Sequence, residues 1–426
     1  MKVLHVIPSV SERSGGPAQA IAPMCRALQE QGIEVTLATT DAGLSGEEQR
    51  AKGRGPALRE ELRAKGEGDR HSQSAGSSPL ALSPLPVTHH SSLMTDWNGV
   101  KTIFFPSQWG ESFKYSRPFA KWLDEHAAEF DVVHIHAVFN HACIAAARAC
   151  RKHGVSYIVR PLGTLDPWGM SQKSWRKRVF LYAGVNRMLS EAAAIHYTSK
   201  GEQTAVEESL KLNHGIVIPL GVDAAEPTSG FLSNLPALDG HPYILVLSRL
   251  LPTKGLDALL DAFLELLGRD EFQPWRLVFA GDGPAAYVAK LKEKVTGQLA
   301  SDFVIFPGWL DGESKAGALS NASLLALPSH HENFGLCVME ALACGVPVLI
   351  SPHVNLAPEI EAAGAGWIAP VDRSLQTALA EALSSEEERS RRGKAGLELA
   401  NHFTWERIAS QLISLYDSVL SRAPAA

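Results

Sequence analysis

The sequence predicts an α/β protein with two doubly wound parallel-sheet domains that face each other across a cleft. Two observations lead to this prediction. Short aliphatic runs alternate with helical patterns over most of the 426 residues, which indicates parallel strands joined by helices. A polar, turn-forming stretch at residues 221–238 divides these runs into two series of similar size. We therefore expect an N-terminal domain at residues 1–222, a C-terminal domain at 223–402, and a C-terminal helix and tail at 403–426.

Each domain has its own series of predicted strands. In the first domain they are expected at residues 3–8, 33–39, 132–136, 156–160, 194–198 and 216–219. In the second they are expected at residues 243–248, 276–280, 303–306, 323–327 and 346–350. A helix is predicted from Pro17 to Leu28, because Pro suits the first helical turn and Gly32 follows as a stop signal. Apolar residues in the tail recur at helical spacing and predict a helix that docks by one face: Trp405, Ile408, Leu412, Leu415 and Val419.

Residues 45–97 fit neither domain. The segment begins with charged, Gly-broken helical sequence and becomes rich in Ser, Pro and His at residues 72–92. It contains too few apolar residues to form a core, so we expect a loosely ordered insertion. An ordered helix that covers a groove is the alternative.

The composition excludes several classes of protein. With 40 Lys+Arg and 46 Asp+Glu the net charge is −6, which argues against a nucleic-acid partner. The five cysteines are scattered, which argues against a disulfide framework or a structural zinc site. No apolar run approaches the roughly 18 residues of a membrane-spanning helix, and the opening apolar stretch is too short for a signal peptide. We therefore expect a cytoplasmic protein.

The strongest functional signal is the segment 330–340, HHENFGLCVME, which follows a predicted strand. Gly335 permits a turn, and the helix after it directs free N–H groups and a positive dipole end into the crevice beyond the strand. Such a site suits a phosphate or a polar sugar. Glu332 stands at its mouth, where a carboxylate accepts hydrogen bonds from two vicinal hydroxyls, and Glu340 lies about two helical turns further on. The structural alternative is a surface loop with Glu340 facing solvent.

The second signal is a pair of cations after the first strand of the second domain. Arg249 follows Ser248 and offers a planar fork for phosphate oxygens, and Lys254 supplies a point charge. Together they could neutralise a departing diphosphate. The alternative is that both are ordinary loop cations.

The other candidate motifs are weaker taken alone. The Gly15-Gly16-Pro17 loop and the turn at Gly281–Gly283 allow close backbone approach to a ligand, but tight turns need no ligand. His134 and His136 alternate on a predicted strand without metal-site spacing, so structural roles or substrate contacts are favoured over a metal.

In combination and in this order, the motifs resemble the retaining glycosyltransferases of family 4, which have the GT-B fold of two Rossmann-like domains. The resemblance covers nearly the whole chain apart from residues 45–97. The segments that carry it are Gly15-Gly16-Pro17, Ser248-Arg249, Lys254-Gly255, Gly281-Asp282-Gly283-Pro284, and the Glu332 and Glu340 pair in the family's E-x7-E pattern.

The resemblance implies a role for each motif. Glu332 would hold hydroxyls of the donor sugar, and Glu340 would bind the donor ribose. Arg249 and Lys254 would stabilise the diphosphate leaving group, with Gly16 closing over it from the first domain. The implied catalytic residues are thus Arg249, Lys254 and Glu332. The other implied donor-binding residues are Gly15, Ser248, Gly281, Gly283, Trp309, Leu310, Asn333, Phe334, Gly335 and Leu336. Such enzymes need no cofactor or divalent metal, since fixed cations and a helix terminus supply the charge.

One position departs from the family pattern. Many members place a His in the loop after a mid-domain strand, near the donor sugar, and the corresponding stretch here has Leu162. We therefore assign no catalytic His. Arg160 or a backbone carbonyl is expected to face the reacting sugar instead.

The expected function is transfer of a hexose from a nucleotide sugar to a hydroxyl acceptor, glycan or lipid-linked, with retention. A catalytically inactive nucleotide-sugar-binding partner is the alternative. A nicotinamide dehydrogenase is disfavoured because the G-x-G-x-x-G fingerprint is missing. The stretch from Lys173 to Arg187 is basic and amphipathic. A solvated helix face is slightly favoured for it, and peripheral contact with the inner face of a membrane, which would suit a lipid-borne acceptor, is the alternative.

Overall fold

The computed structural model of the chain describes residues 1–11, 15–44, 93–109, 113–171, 174–223, 235, 238 and 240–422. Most of the segment expected to be a loosely ordered insertion, residues 45–92, lies outside the described residues. So does the greater part of the predicted linker between the two domains, and the boundary at residue 222 therefore stays a prediction.

The first half of the chain forms an eight-stranded sheet in the spatial order β3-β4-β2-β1-β5-β6-β7-β8. Its strands are β1 Lys2–Val6, β2 Glu34–Thr40, β3 Leu93–Trp97, β4 Val100–Phe105, β5 Val132–His136, β6 Ser156–Arg160, β7 Ala194–Tyr197 and β8 Gly215–Val217. The pairs are parallel except for β3, which runs antiparallel to β4 at the edge. The helices are α1 Gly16–Glu30, α2 Arg117–His126, α3 His141–His153, α4 Pro167–Ser171, α5 Ser174–Phe180, α6 Asn186–Ser190 and α7 Lys200–Leu210, with a π-helical segment at Leu181–Val185.

The second half forms a six-stranded parallel sheet in the order β11-β10-β9-β12-β13-β14. Its strands are β9 Tyr243–Leu247, β10 Arg276–Ala280, β11 Val304–Gly308, β12 Leu324–Leu327, β13 Val348–Ile350 and β14 Gly366–Ile368. The helices are α8 Leu256–Leu266, α9 Ala285–Gly297, α10 Gly312–Ser320, α11 Leu336–Ala343, α12 Ala357–Ala363, α13 Arg373–Ser384, α14 Glu386–Ala400 and α15 Trp405–Arg422.

Both faces of the second sheet are buried, as a doubly wound sheet requires. Ile244 and Val246 point into one apolar cluster with α8, whereas Tyr243 and Leu245 point into another on the opposite face. The order of each sheet reverses beside its first strand, so the chain leaves β1 and β9 at topological switch points. At such points a crevice opens beyond the carboxyl ends of the strands.

The last helix, α15, returns to the first half of the chain and packs against α1. Its apolar face is buried as the spacing predicts, with Tyr416 added to the expected residues. The Tyr416 hydroxyl lies 2.9 Å from His134 Nδ1, and the Val222 amide donates to the Phe403 carbonyl at 2.8 Å. The two-sheet α/β architecture with a docked C-terminal helix is therefore confirmed.

Three strands were not predicted. β3 and β4 pair antiparallel at the edge of the first sheet. β3 lies inside the segment 45–97, so the prediction of a loosely ordered insertion is wrong for residues 93–97. β3 is exposed at the sheet edge and carries little apolar pattern, because its stability comes from backbone pairing with β4. β14 has three residues, too few for its pattern to be distinguished in sequence.

Candidate active site

A cavity of about 470 Å³ lies between the carboxyl ends of the two sheets. It is reached by the loops that follow β1, β6, β9, β11 and β12. The sequence-predicted residues that line it are Gly15, Gly16, Ser248, Arg249, Lys254, Gly281, Trp309, Leu310, Glu332, Asn333, Phe334, Gly335, Leu336 and Glu340. The structure therefore brings all but one of the predicted site residues to a single hollow.

Gly283 is the exception, since it does not line the cavity. A Cβ at this position would lie 2.0 Å from the Leu250 carbonyl oxygen, so the glycine allows two backbones to pack closely. Gly281, which does line the cavity, has φ +138° and would place a Cβ 1.9 Å from the Ser248 carbonyl oxygen. Both glycines hold the loop after β10 against the loop after β9.

Glu332 lies in a loop that is held by its own half of the molecule. Its amide donates to the His353 carbonyl at 3.0 Å, and its carbonyl accepts from the Asn355 amide at 3.0 Å. Gly335 then adopts φ +76°, which favours glycine, and α11 begins at the next residue. The N-terminal end of α11, with its positive dipole end, therefore faces the cavity.

The Glu332 carboxylate is in direct contact with the Lys254 ammonium. Both side chains are largely buried. Burial alone would raise the pKa of Glu332, but the Lys254 charge, together with His331 and the Phe334 amide, holds this pKa below its ordinary value. The sequence placed the two residues in one site but did not predict that they pair with each other.

A further cation, Lys315, enters the cavity from α10. Lys315 Nζ lies 2.7 Å from Glu340 Oε1 and 3.5 Å from Gln19 Oε1 on α1. The sequence analysis missed Lys315, because a single Lys within a polar helix has no distinguishing pattern. Only the packing of α10 beside α11 brings it to Glu340.

The glycine loop after β1 approaches the second half closely. A Cβ on Gly15 would lie 3.7 Å from Arg249 Nε, and one on Gly16 would lie 3.8 Å from the Leu336 side chain. Gly15 also has φ +92°, a conformation that side chains resist. The first half therefore contributes backbone to the cavity beside the predicted diphosphate-binding cation.

Arg160 and Leu162 both line the cavity from the first half. Leu162 has φ +60°, so its loop turns sharply at the position where many family members have a His. Arg160 is buried, and its Nη1 lies 3.5 Å from His136 Nδ1. Arg160 therefore borders the cavity, but its guanidinium is directed into the core, where Nη1 contacts His136 and Met24. That Arg160 faces the reacting sugar stays a prediction.

His134 and His136 belong to a buried array on one face of the first sheet. His5 Nδ1 lies 2.9 Å from His136 Nε2, and His196 Nδ1 lies 3.2 Å from His134 Nε2. Burial, followed by the Arg160 charge, lowers the pKa of His5 to about 3 and that of His196 to about 3. His5, His134 and His136 are close enough to hold a metal ion, but their contacts to each other and to Tyr416 fit a hydrogen-bonded core layer.

In the basic stretch from Lys173 to Arg187, two cations make contacts within the protein. Lys177 Nζ donates to the Gly169 carbonyl at 2.6 Å, so it holds α4, and Arg187 pairs with Glu191 at 2.8 Å. The exposed side chains of this stretch include Trp175, Val179 and Tyr182. Within the described part of the chain, no helix is both long enough and apolar enough to cross a membrane.

Two family models match the chain. The model described as "Glycosyl transferase 4-like domain" matches residues 15–221, and the one described as "Glycosyl transferases group 1" matches residues 233–399. Together the two models cover both α/β domains, whose arrangement around a shared cavity is that of the GT-B class. The chain belongs to glycosyltransferase family 4, the glycosyl transferases of group 1.

The curated relatives match over part of their length. The phosphatidyl-myo-inositol mannosyltransferase of Mycobacterium leprae is 30% identical over 212 residues, which are 47% of this chain and 55% of that protein. The GDP-mannose-dependent alpha-(1-6)-phosphatidylinositol dimannoside mannosyltransferase of Mycobacterium tuberculosis is 35% identical over 166 residues, 39% of this chain and 41% of that protein. The chain thus spans about half the length of the curated relatives it matches.

Solved structures share the fold over the whole chain. A sucrose-phosphate synthase from Thermosynechococcus elongatus has a TM-score of 0.69 at 19% identity and covers 99% of both chains. The Anabaena protein HepE in complex with UDP and glucose has a TM-score of 0.69 at 19% identity, covering 98% of this chain and 100% of that one. At this identity the likeness concerns the fold.

Proposed function

We propose that this protein is a retaining glycosyltransferase that moves a hexose from a nucleotide-diphosphate sugar to a hydroxyl acceptor in polysaccharide or lipid-linked glycan biosynthesis. The observation that carries the proposal is the convergence of Arg249, Lys254, Glu332 and Glu340 on one cavity between the two domains. The named activities of the relatives, such as GDP-mannose-dependent mannosyl transfer, support it.

The charge of the cavity suits a diphosphate. Arg249, Lys254 and Lys315 line it together with the N-terminal end of α11. Lys254 and Lys315 each contact a carboxylate, whereas Arg249 is exposed at the mouth. Positive groups held in place before the reaction stabilise charge as it develops on a leaving group, which is the work that a divalent metal does in other enzymes. We therefore propose metal-independent chemistry.

The roles of the individual residues follow from their placement. Glu332, oriented by Lys254, would hold donor-sugar hydroxyls, while Glu340, held by Lys315, would bind the ribose. Arg249 would take up negative charge as the bond between the anomeric carbon and the phosphate oxygen breaks. Trp309 and Leu310 line the cavity after β11 and offer apolar contact for a nucleobase. The acceptor would bind against the wall formed by the first domain.

A lipid-borne acceptor is supported by an exposed aromatic surface beside the cavity. Trp175, Val179 and Tyr182 are 67%, 58% and 87% exposed and lie at helical spacing on one face. Phe180 in the same stretch contacts Phe113, whose chain neighbour Lys114 lines the cavity. Aromatic side chains next to basic ones favour the membrane interface, so we propose peripheral contact at the inner face of the membrane through this surface.

The variants Arg249→Ala and Glu332→Gln test the function. We expect each to lower turnover by about 100-fold or more, because each removes a charge that acts on the donor. Turnover is measured as nucleoside diphosphate released from UDP- and GDP-sugars, with and without a lipid or glycan extract as acceptor. Release that depends on the acceptor distinguishes the enzyme from an inactive binding protein.

The control for these variants is Arg269→Ala, an exposed Arg that pairs with Glu271 outside the cavity. Thermal unfolding of all variants shows whether the fold is retained. Turnover close to that of the unchanged protein in both Arg249→Ala and Glu332→Gln would contradict the proposed function.

A further inference from the structure

Both chain neighbours of Glu332 are held by the first domain. His331 Nε2 lies 2.8 Å from Asp166 Oδ2, and its ring stacks on Trp168 with the ring centroids 4.7 Å apart and the planes at 20°. Asp166 is buried and also accepts a hydrogen bond from the Gly169 amide at the start of α4. The first contact thus joins a fixed carboxylate in the first domain to a side chain in the second.

The second contact is a chain of hydrogen bonds on the other side of Glu332. Asn333 Nδ2 donates to Thr198 Oγ1 at 2.9 Å, and the Thr198 hydroxyl in turn donates to Glu202 Oε2 at 3.0 Å. A hydroxyl has one proton to donate, so its bond to Glu202 leaves its lone pairs free to accept from Asn333. Glu202, which is fully buried, therefore orients the hydroxyl that meets Asn333.

The same Glu202 holds the loop after β6 in place. Its Oε1 accepts from the Gly163 amide at 2.5 Å. Gly163 has φ +69°, and a Cβ there would lie 2.7 Å from the Asn333 Cβ. Only a glycine permits this approach, so the loop that carries Leu162 packs directly against the residue after Glu332.

We infer that Asp166, Trp168, Thr198 and Glu202 form an interdomain clasp on His331 and Asn333, and that the clasp positions the Glu332 carboxylate when the two domains are closed. The inference rests on the proposed function. Along an extended segment, alternate side chains point to opposite sides. His331 and Asn333 accordingly contact the first domain, while Glu332 between them contacts Lys254 of its own domain.

The clasp residues are positioning residues, because they act on the donor through Glu332. Because the residues on both sides of Glu332 are held, the rotation of its carboxylate is restricted. Small misplacements of a group that contacts the substrate lower the rate strongly. Opening of the cleft would break both contacts together. Closure and correct placement of Glu332 are therefore coupled by the same set of side chains.

Two variants test the clasp with little change of shape. Thr198→Val removes the hydroxyl and keeps the branched side chain. His331→Phe keeps a ring to stack on Trp168 and removes the contact with Asp166. We expect each to lower kcat by about 10-fold or more, because closed geometry is lost. Calorimetric titration measures the affinity of each variant for UDP and for GDP. We expect it to differ from that of the unchanged protein by less than about 3-fold, since the second domain is proposed to hold the nucleotide.

Two further variants serve as controls. Thr198→Ser keeps the hydroxyl and should have a kcat within about 3-fold of that of the unchanged protein. If Thr198 acted only through packing of its methyl group, Thr198→Ser would lower kcat as well. His330→Phe alters the exposed neighbour and should leave kcat unchanged. If Thr198→Val fails to fold, His331→Phe carries the test.

The outcomes separate this inference from the function itself. If the unchanged protein transfers sugar and both Thr198→Val and His331→Phe keep kcat within about 2-fold, the clasp is wrong and the function stands. If the unchanged protein binds no nucleotide and transfers no sugar, the proposed function is wrong, and the clasp, which rests on it, is wrong with it.

Discussion

At the scale of single residues, the cavity is organised by two ion pairs. Lys254 with Glu332 and Lys315 with Glu340 each place a cation beside an acidic residue of the E-x7-E motif. A cation in contact with a carboxylate favours one orientation of that carboxylate. The two pairs are therefore expected to present fixed acceptors to the sugar and the ribose.

The Lys315→Gln variant tests the pair that the sequence did not reveal. We expect nucleotide affinity to fall by about 10-fold, because Glu340 loses the cation that orients it and the cavity loses a charge near the diphosphate. The measurement is calorimetric titration with UDP and GDP. Lys290→Gln, which alters an exposed Lys paired with Asp257 outside the cavity, is the matched control. Equal affinities of Lys315→Gln and the unchanged protein would remove Lys315 from the donor site.

At the scale of elements, α5 and the π-helical segment after it expose apolar side chains on one face. Lys177 points inward and donates to the carbonyls of Thr164, in the loop after β6, and of Gly169, in α4. If the proposed membrane contact is made, the exposed aromatic and aliphatic side chains would supply it through burial of apolar surface. Attraction by charge would then contribute less than the basic sequence predicts, because Lys177 and Arg187 make contacts within the protein.

The double variant Trp175→Ser/Tyr182→Ser tests this face. We expect its partition onto vesicles of phosphatidylcholine and phosphatidylglycerol to fall about 10-fold or more, since burial of one aromatic side chain is worth more than about 1.4 kcal/mol. Sedimentation with the vesicles measures the bound fraction. Leu299→Ser removes a 90% exposed Leu in the second domain and should leave binding unchanged. An unchanged bound fraction for the double variant would argue for a solvated helix face.

At the scale of the whole molecule, the last helix ties the end of the chain to the first sheet. Tyr416 on α15 contacts His134 on β5, and His196 on β7 extends the same array to the Ile218 carbonyl at 2.7 Å. Burial lowers the pKa of each imidazole in this array, so they are neutral in the folded protein. Folding therefore prevents proton uptake that the unfolded chain would allow.

The array makes the stability of the fold depend on pH. The unfolded chain binds protons on these His below about pH 6.5, whereas the folded chain does not until a much lower pH. The free energy of unfolding should thus be at its full value above this pH and decrease as the pH falls. Each His contributes a slope of up to about 1.4 kcal/mol per pH unit.

Denaturant unfolding between about pH 4 and pH 7 measures this slope. His5→Gln should make the profile shallower by up to one proton, because the replacement removes one buried titrating group whose pKa is lowered in the folded protein. His330→Gln, at an exposed position, is the control. A profile of His5→Gln parallel to that of the unchanged protein would contradict the neutral array.

The sequence by itself determined the architecture and most of the site. Alternation of aliphatic and helical patterns specifies parallel strands, and loops after such strands must meet at the carboxyl edge of a sheet. For this reason Arg249 and Glu332, which follow strands of the second domain, could be assigned to one crevice from the strand pattern. Assigning Gly16 and Glu340 to the same ligand rested on the resemblance to the family.

Tertiary structure alone decided which residues touch. The pairing of Lys315 with Glu340, the contact between Asp166 and His331, and the inward direction of Lys177 depend on how whole elements pack. Such contacts join residues far apart in the chain, and local periodicity contains no information about them. The physical reason is that a pattern records which face of an element is buried, whereas the partner on the other side of that face is set only when the two domains come together.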